Sequence, residues 1–272
     1  MVYIICIVTA IATSFAGALL GLGGGVLFVP IMLLFTNFLT GFEWVNPQSI
    51  VGVSLIAMIF TTITSTISNS RNGLVDFRLG FYLISGSVPG GIFGSWLSRY
   101  IQMENFPLYF GVLLLLISLL FLIEMKSGEE KIDHGKGILR ILVVNGTEYR
   151  YRISWLKPFF IAFFVGTLSG LFGIGGGSMI VPSLILLFGV PAHIAIATSL
   201  FMIIFSSGVG AITHIALGHI PWHYTLYVVP GAIIGGWLGA HVNQILNGKT
   251  LIRSLQICLV LIGLYLIVDS ML

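Results

Sequence analysis

The chain has 272 residues, of which only 8% are Asp, Glu, Lys or Arg, against about 25% in a soluble domain. Hydrophobic residues make up 57%, glycine occurs 34 times, and mean hydropathy is +1.07. A soluble fold of this size cannot hide that much apolar surface, which excludes soluble enzymes, nucleic-acid binders and disordered chains and leaves an all-α polytopic membrane protein whose first partner is the lipid bilayer. The formal charge of +3 sits between apolar segments, so it reads as a topology signal rather than a nucleic-acid footprint.

A spanning helix needs roughly 20 apolar residues. Apolar runs, uncharged except for Arg253 near the start of the last, cover about residues 2–39, 47–68, 79–98, 106–123, 158–189, 192–216, 223–246 and 251–268. The runs at 2–39 and 158–189 are too long for one straight span, and both are interrupted by glycines. The first 70 residues hold no Lys or Arg, so no positive n-region of a cleaved signal peptide is expected. Residues 124–157 hold nearly half of the charged and histidine side chains and read as a linker between two membrane parts, 1–123 and 158–272. Within it, ILRILVV and TEYRYRI flank Asn145-Gly146, the pattern of a β-hairpin closed by a type I′ turn. Cys6 and Cys258 each lie inside an apolar run and act as small hydrophobes, with no disulfide framework or metal spacing.

The two membrane parts repeat each other. GLGGGVLFVPIMLLF (21–35) matches GIGGGSMIVPSLILLF (173–188), pairing Pro30 with Pro182. SVPGGIFGSWL (87–97) matches VVPGAIIGGWLG (228–239), pairing Pro89 with Pro230 and Trp96 with Trp237. Between them Ser54 aligns with Ser199, Gly73 with Gly218 and Asn69 with His214. The expected fold is therefore two pseudo-symmetric helical repeats, each opening with a glycine-broken helix, as in many secondary transporters. If each broken run crosses once, the repeats are parallel and Lys and Arg divide 9 to 3 between the faces; if it crosses twice or is re-entrant, the repeats are inverted and the division is 11 to 1. The charge bias favours the inverted arrangement and puts the linker in the cytoplasm in both cases.

Glycine leaves backbone amides and carbonyls without intrahelical partners, which is tolerable at membrane depth only inside protein or beside a watery cavity. Gly23, Gly24 and Gly25, with Gly175, Gly176 and Gly177, are therefore expected to line one central site. The restarted helices would offer N–H groups and positive dipole ends to an anion. No Lys-Ser/Thr or strand accompanies the clusters, so they are not nucleotide loops. Close helix packing is the plainer use of such glycines.

Hydroxyls line two spans. Ser54, Thr61, Ser65 and Ser68 share one face of 47–68, and Thr198, Ser199, Ser206 and Ser207 lie on its counterpart. Ser54, Thr198 and Ser199 are the candidate substrate hydroxyls, although Ser and Thr in spans more often bond their own helix carbonyls. No acidic or basic residue lies deep in any run, which argues against a cation carrier. His214, toward the end of its span, is the candidate for a coupling proton. No metal ligand set, cofactor or catalytic residue is expected. Ser169-Gly170 and several histidines elsewhere in the chain superficially permit a Ser–His pair, but no acid is embedded and the repeat counterpart is Gly17-Ala18, so a membrane hydrolase is disfavoured. Trp44, Trp155 and Trp222 read as interface anchors, and Trp96 and Trp237 as helix-packing residues.

These motifs resemble the TauE/SafE branch of the sulfite and organosulfonate exporter superfamily. The resemblance rests on GALLGLGGGVLFVP, GLFGIGGGSMIVP, PAHIAIATSL and VPGAIIGGWLGAH and covers nearly the whole chain. It implies a multi-pass plasma-membrane transporter that moves sulfur-containing anions such as sulfite or sulfoacetate, often as export, with the glycine segments near the permeation path. A thiosulfate-moving branch uses cysteines along its path; here neither Cys6 nor Cys258 lies in a glycine segment, so that mechanism does not carry over. A passive anion channel of the same architecture is the alternative.

Overall fold

The computed structural model describes residues 2–38, 41–42, 44–100, 106–122, 138–144, 147–153, 156–245 and 248–271. The order is α1 (Val2–Leu20), α2 (Gly25–Phe38), α3 (Pro47–Arg71), α4 (Phe77–Leu97) and α5 (Phe106–Leu122), then β1 (Ile138–Val144) and β2 (Thr147–Ile153). There follow α6 (Leu156–Phe172), α7 (Gly177–Phe188), α8 (Ala192–Ala216), α9 (Trp222–Asn243) and α10 (Gly248–Met271). Among the described residues four helices, α1, α3, α8 and α9, are both long and apolar enough to cross a membrane. The strands pair antiparallel from Ile138 opposite Ile153 to Val144 opposite Thr147; Asn145-Gly146 lies outside the described residues, as does Trp155.

Local chemistry sets the helix ends. Asn46 caps α3 through its Oδ1, which accepts from the Ser49 amide at 2.8 Å, while Ser49 Oγ accepts in return from the Asn46 amide at 3.1 Å; Pro47 occupies the first turn, where its missing N–H costs nothing. At the other ends of α3 and α8, Gly73 and Gly218 take φ of +67° and +73°. Their turns let the Asn69 and His214 carbonyls accept from the Leu74 and His219 amides at 3.1 and 3.0 Å.

Helices α3 and α8 cross at the centre and are the most enclosed spans. Helix α1 lies along α9, α4 along α6, and α5 along α10. Close approach depends on glycines four apart. A Cβ on Gly86, Gly90 or Gly94 of α4 would collide with the carbonyls of Phe159, Phe163 or Thr167 of α6. On α9, Gly231, Gly235 and Gly239 press in the same way on the Ile7, Ile11 and Phe15 carbonyls of α1. Such small-residue stripes bring backbones together where no hydrophobic drive separates protein from lipid. Large apolar side chains such as Ile4, Phe81, Phe164, Ile212 and Leu261 point outward, as a lipid-facing surface requires. Trp96 and Trp237 join them at 42% and 53% exposure. These two rings therefore do not pack between helices: the glycines beside them bring the neighbouring backbone so close that a ring has room only on the outside.

The course of the first broken run is also fixed. Gly24 lies against the backbone of Thr13 and Ser14, and Gly41 against Val2, so the chain turns back at the glycines and comes round to the start of α1. In the second run Gly176 lies against Val165 and Ser169 of α6, and α7 runs back toward β2.

Candidate functional site

Both helix breaks are built from left-handed glycines. Gly21, Gly23 and Gly24 have φ of +76°, +77° and +98°, and Gly173, Gly175 and Gly176 have +69°, +77° and +68°. An L side chain in that region costs about 1–2 kcal/mol. The two segments lie side by side in opposite directions. A Cβ on Gly25 would strike the Gly173 carbonyl, one on Gly177 the Gly21 carbonyl, and one on Gly175 would come within 2.8 Å of the Leu22 carbonyl. Leu22 and Ile174, the only residues with side chains inside the segments, are fully buried.

Polar satisfaction at this crossing is uneven. Ser54 of α3 donates to the Gly173 carbonyl at 3.0 Å and Ser199 of α8 to the Gly21 carbonyl at 2.9 Å; each also bonds the carbonyl three residues back in its own helix. One carbonyl of each segment is thus covered by a hydroxyl of the other half. The amides of Gly24, Gly25, Gly175 and Gly176 make no backbone hydrogen bond among the described residues. Met58 of α3 and Ile203 of α8, both fully buried, fill the space beside the crossing: Met58 lies against Gly23, Gly25 and Gly175, and Ile203 against Gly23 and Gly177. Nothing in their sequence context marked them.

Thr198 serves a different contact: its Oγ1 accepts from the Asp76 amide at 3.0 Å. Asp76 caps α4, with Oδ1 accepting from the Arg78 and Leu79 amides at 3.0 and 3.1 Å. The same carboxylate receives Arg140 of β1, Nη2 to Oδ1 at 2.6 Å and Nε to Oδ2 at 3.2 Å, and Tyr151 of β2 through its hydroxyl at 2.7 Å. Burial pushes the Asp76 carboxyl up, but the hydrogen bonds from Arg140, Tyr151 and the Leu79 amide outweigh it and hold the carboxyl below its ordinary value. This clamp joins the hairpin, the start of α4 and the first turns of α8. Sequence reasoning missed it because its members lie 64 and 75 residues apart.

At the other end of α8, His214 is fully buried. Its Nδ1 lies 3.1 Å from Nδ1 of His219 in the α8–α9 loop, and burial pushes His219 below the ordinary histidine range. The other hydroxyls of these spans act locally. Thr61, Thr62, Ser65 and Ser207 bond carbonyls four residues back, and Thr61 and Ser65 also reach Ser14 Oγ and the Gly236 carbonyl. Among the described residues no three His, Cys, Asp or Glu side chains group as metal ligands.

Apolar helices packed on glycine stripes, two broken helices meeting at the centre and an outward hydrophobic surface define a multi-pass membrane protein of the transporter class. The family described as Sulfite exporter TauE/SafE matches residues 6–266, and the chain belongs to that family. It is 38% identical over 271 residues, 99% of both chains, to the "Probable membrane transporter protein YunE" of Bacillus subtilis. It is also 27% identical to a "Probable membrane transporter protein" of Xylella fastidiosa, over 93% of this chain and 90% of that one. A shorter match, 40% over 77 residues, covers 28% of this chain and 16% of "Sulfite exporter TauE/SafE family protein 3" of Arabidopsis thaliana. No solved structure matches the chain.

Proposed function

We propose that this membrane transporter carries a small sulfur-containing anion, such as sulfite, sulfoacetate or another organosulfonate, out across the plasma membrane by alternating access of two inverted repeats. The observation that carries the reading is the glycine crossing. Ser54 and Ser199 cover the Gly173 and Gly21 carbonyls, and the Gly23 and Gly177 amides of the expected set already donate to the Gly17 and Gly175 carbonyls. The groups left to meet a solute are therefore the amides of Gly24, Gly25, Gly175 and Gly176, a donor set suited to an oxyanion without a buried cation. In the packed conformation the segments cover each other; separating them exposes the amides to one face at a time. Ser54, Thr198 and Ser199 then contribute hydroxyls as their present contacts open, and His214 carries the coupling proton.

The packing supports a repeat of the two halves. Exchanging α1–α5 with α6–α10 turns the pairing of α1 with α9 into that of α6 with α4. It turns α3 with α9 into α8 with α4, and α2 with α3 into α7 with α8, all of which are present. Turning back at the glycines, as two passes or as a re-entrant loop, leaves an odd number of passes per repeat, so the linker face receives 11 of the 12 Lys and Arg and is cytoplasmic. A crossing with no room for a Cβ favours a carrier over an open channel.

The test is uptake of radiolabelled sulfite or sulfoacetate into proteoliposomes. Folded Gly24→Leu and Gly176→Leu variants are expected to lose flux, and undiminished flux would remove the glycine site. Trans-stimulation of labelled by unlabelled anion is expected of the carrier, whereas a channel shows none.

A further inference from the structure

The interface of α1, α3 and α9 and that of α4, α6 and α8 both bury polar groups, and Thr66 and Asn69 of α3 lack a hydrogen-bond partner among the described residues, as do three groups of the second interface. In the first, buried hydroxyls reach across helices: Thr61 to Ser14 at 2.8 Å and Ser65 to the Gly236 carbonyl at 3.0 Å. In the second, Ser95 of α4, Ser169 of α6 and His214 Nε2 of α8 are buried, at 0%, 1% and 0% exposure, and have no hydrogen-bond partner among the described residues. A buried polar group without a partner costs about 1–3 kcal/mol, so three in one interface call for an explanation.

They gather around one backbone position. Ser95 Oγ would lie 2.9 Å from a Cβ on Gly170 and 3.2 Å from one on Gly210. His214 is one turn beyond Gly210, with its ring against the backbone of Gly170 and Gln48. Ser169, next to Gly170, faces Gly176 of the glycine segment. A line of polar groups thus runs from His219, at the end away from the hairpin, through His214, Ser95 and Ser169 to the helix break. The His214–His219 contact also determines what Nε2 can do. Two neutral imidazoles joined Nδ1 to Nδ1 share one proton. When His219 donates it, the proton of His214 must sit on Nε2, which becomes a donor aimed into the interface.

We propose that Ser95 Oγ and His214 Nε2–H form a second anion subsite, between the hairpin-distal face and the glycine crossing, that takes a small oxyanion on its way to or from the central amides. Two neutral donors and no fixed cation suit a singly charged solute that must also leave. The proposal rests on the anion reading above, with Ser169 as the next contact inward.

The experiment is equilibrium binding of radiolabelled sulfite to full-length protein in nanodiscs, with unlabelled methanesulfonate as competitor. Ser95→Ala removes one hydroxyl, leaves the Cβ packing against Gly170 intact, and is expected to weaken binding about tenfold, the size of one charge-assisted hydrogen bond. His214→Gln keeps a donor and is expected to bind within about threefold of the parent, while His214→Leu should lose about tenfold or more. Each variant is compared only as monodisperse protein; if His214→Leu does not fold, the contrast of Ser95→Ala with the parent decides. Saturable parental binding that Ser95→Ala leaves unchanged overturns the subsite and spares the central site. Absence of saturable sulfite binding by the parent overturns both.

Discussion

Replacing Asp76 by asparagine isolates the charge in the hairpin clamp. One oxygen remains to accept from the Arg78 and Leu79 amides, so the α4 cap survives. Lost are the charge facing Arg140 and the second oxygen, which takes Arg140 Nε at 3.2 Å and the Tyr151 hydroxyl at 2.7 Å. An amide NH2 now faces two donors. The Asp76 and Arg140 side chains are 1% and 18% exposed, so the guanidinium is left with little water. Removing one member of a buried pair costs about 3–5 kcal/mol, and the surviving cap and partial exposure of Arg140 place the loss near 3 kcal/mol. Each kcal/mol moves the midpoint of a chain this size by roughly 2–4 °C, so the apparent midpoint should fall by roughly 6–12 °C. The assay is size-exclusion chromatography of heated, detergent-purified protein. Asp76→Ala also loses the cap, worth about 1 kcal/mol more. In Asp76→Asn combined with Arg140→Met no charge is stranded, and the double variant should recover part of the single variant's loss. A midpoint equal to the parent's in Asp76→Asn, or strict additivity in the double variant, would refute the clamp as a coupled unit.

The same carboxylate gives a pH dependence. Its folded-state value lies below the unfolded one, so its contribution is complete above the ordinary carboxylate range and fades as pH falls through that range toward the lower folded value. The midpoint gap between parent and Asp76→Asn should therefore be full at neutral pH and narrow under acid; a gap independent of pH contradicts the assignment. Met58→Ala empties space beside Gly23, Gly25 and Gly175 and should cost about 2–5 kcal/mol. It should also raise passive sulfite leak from loaded proteoliposomes, and a leak no greater than the parent's would mean that Met58 does not seal the crossing. Gly25→Ala should yield no stable protein, because its Cβ meets the Gly173 carbonyl. Gly218→Ala, at φ +73° with nothing within 4 Å, should cost only about 1–2 kcal/mol; similar yields for the two would contradict the close approach.

Much of the helical frame is written in hydropathy: the apolar runs, the two glycine interruptions and the β-branched residues around Asn145-Gly146 all signal locally. Contacts between distant segments left no such trace. The fold-back that sets Gly41 beside Val2 depends on φ angles near +80° that a glycine permits but does not announce. Met58 and Ile203 are ordinary apolar residues until the crossing lies beside them. Asp76 reads as a plain helix cap, and only the docked hairpin gives it Arg140 and Tyr151. Ser54 and Ser199 were legible as a pair from their alignment, but the carbonyls they cover belong to the opposite half of the chain. Trp96 and Trp237 misled because a shared position in two motifs says nothing about which side of the helix meets lipid.

The pairing of α1 with α9 has a consequence for biosynthesis. The groove that receives Ile7, Ile11 and Phe15 is made by glycines of a helix encoded more than 200 residues later. At about 5–20 residues per second, α1 waits roughly 10–45 s in the bilayer before its partner emerges from the ribosome. Throughout that interval its ridge has only lipid or the insertion machinery for company, and a chain truncated before α9 would leave it so permanently.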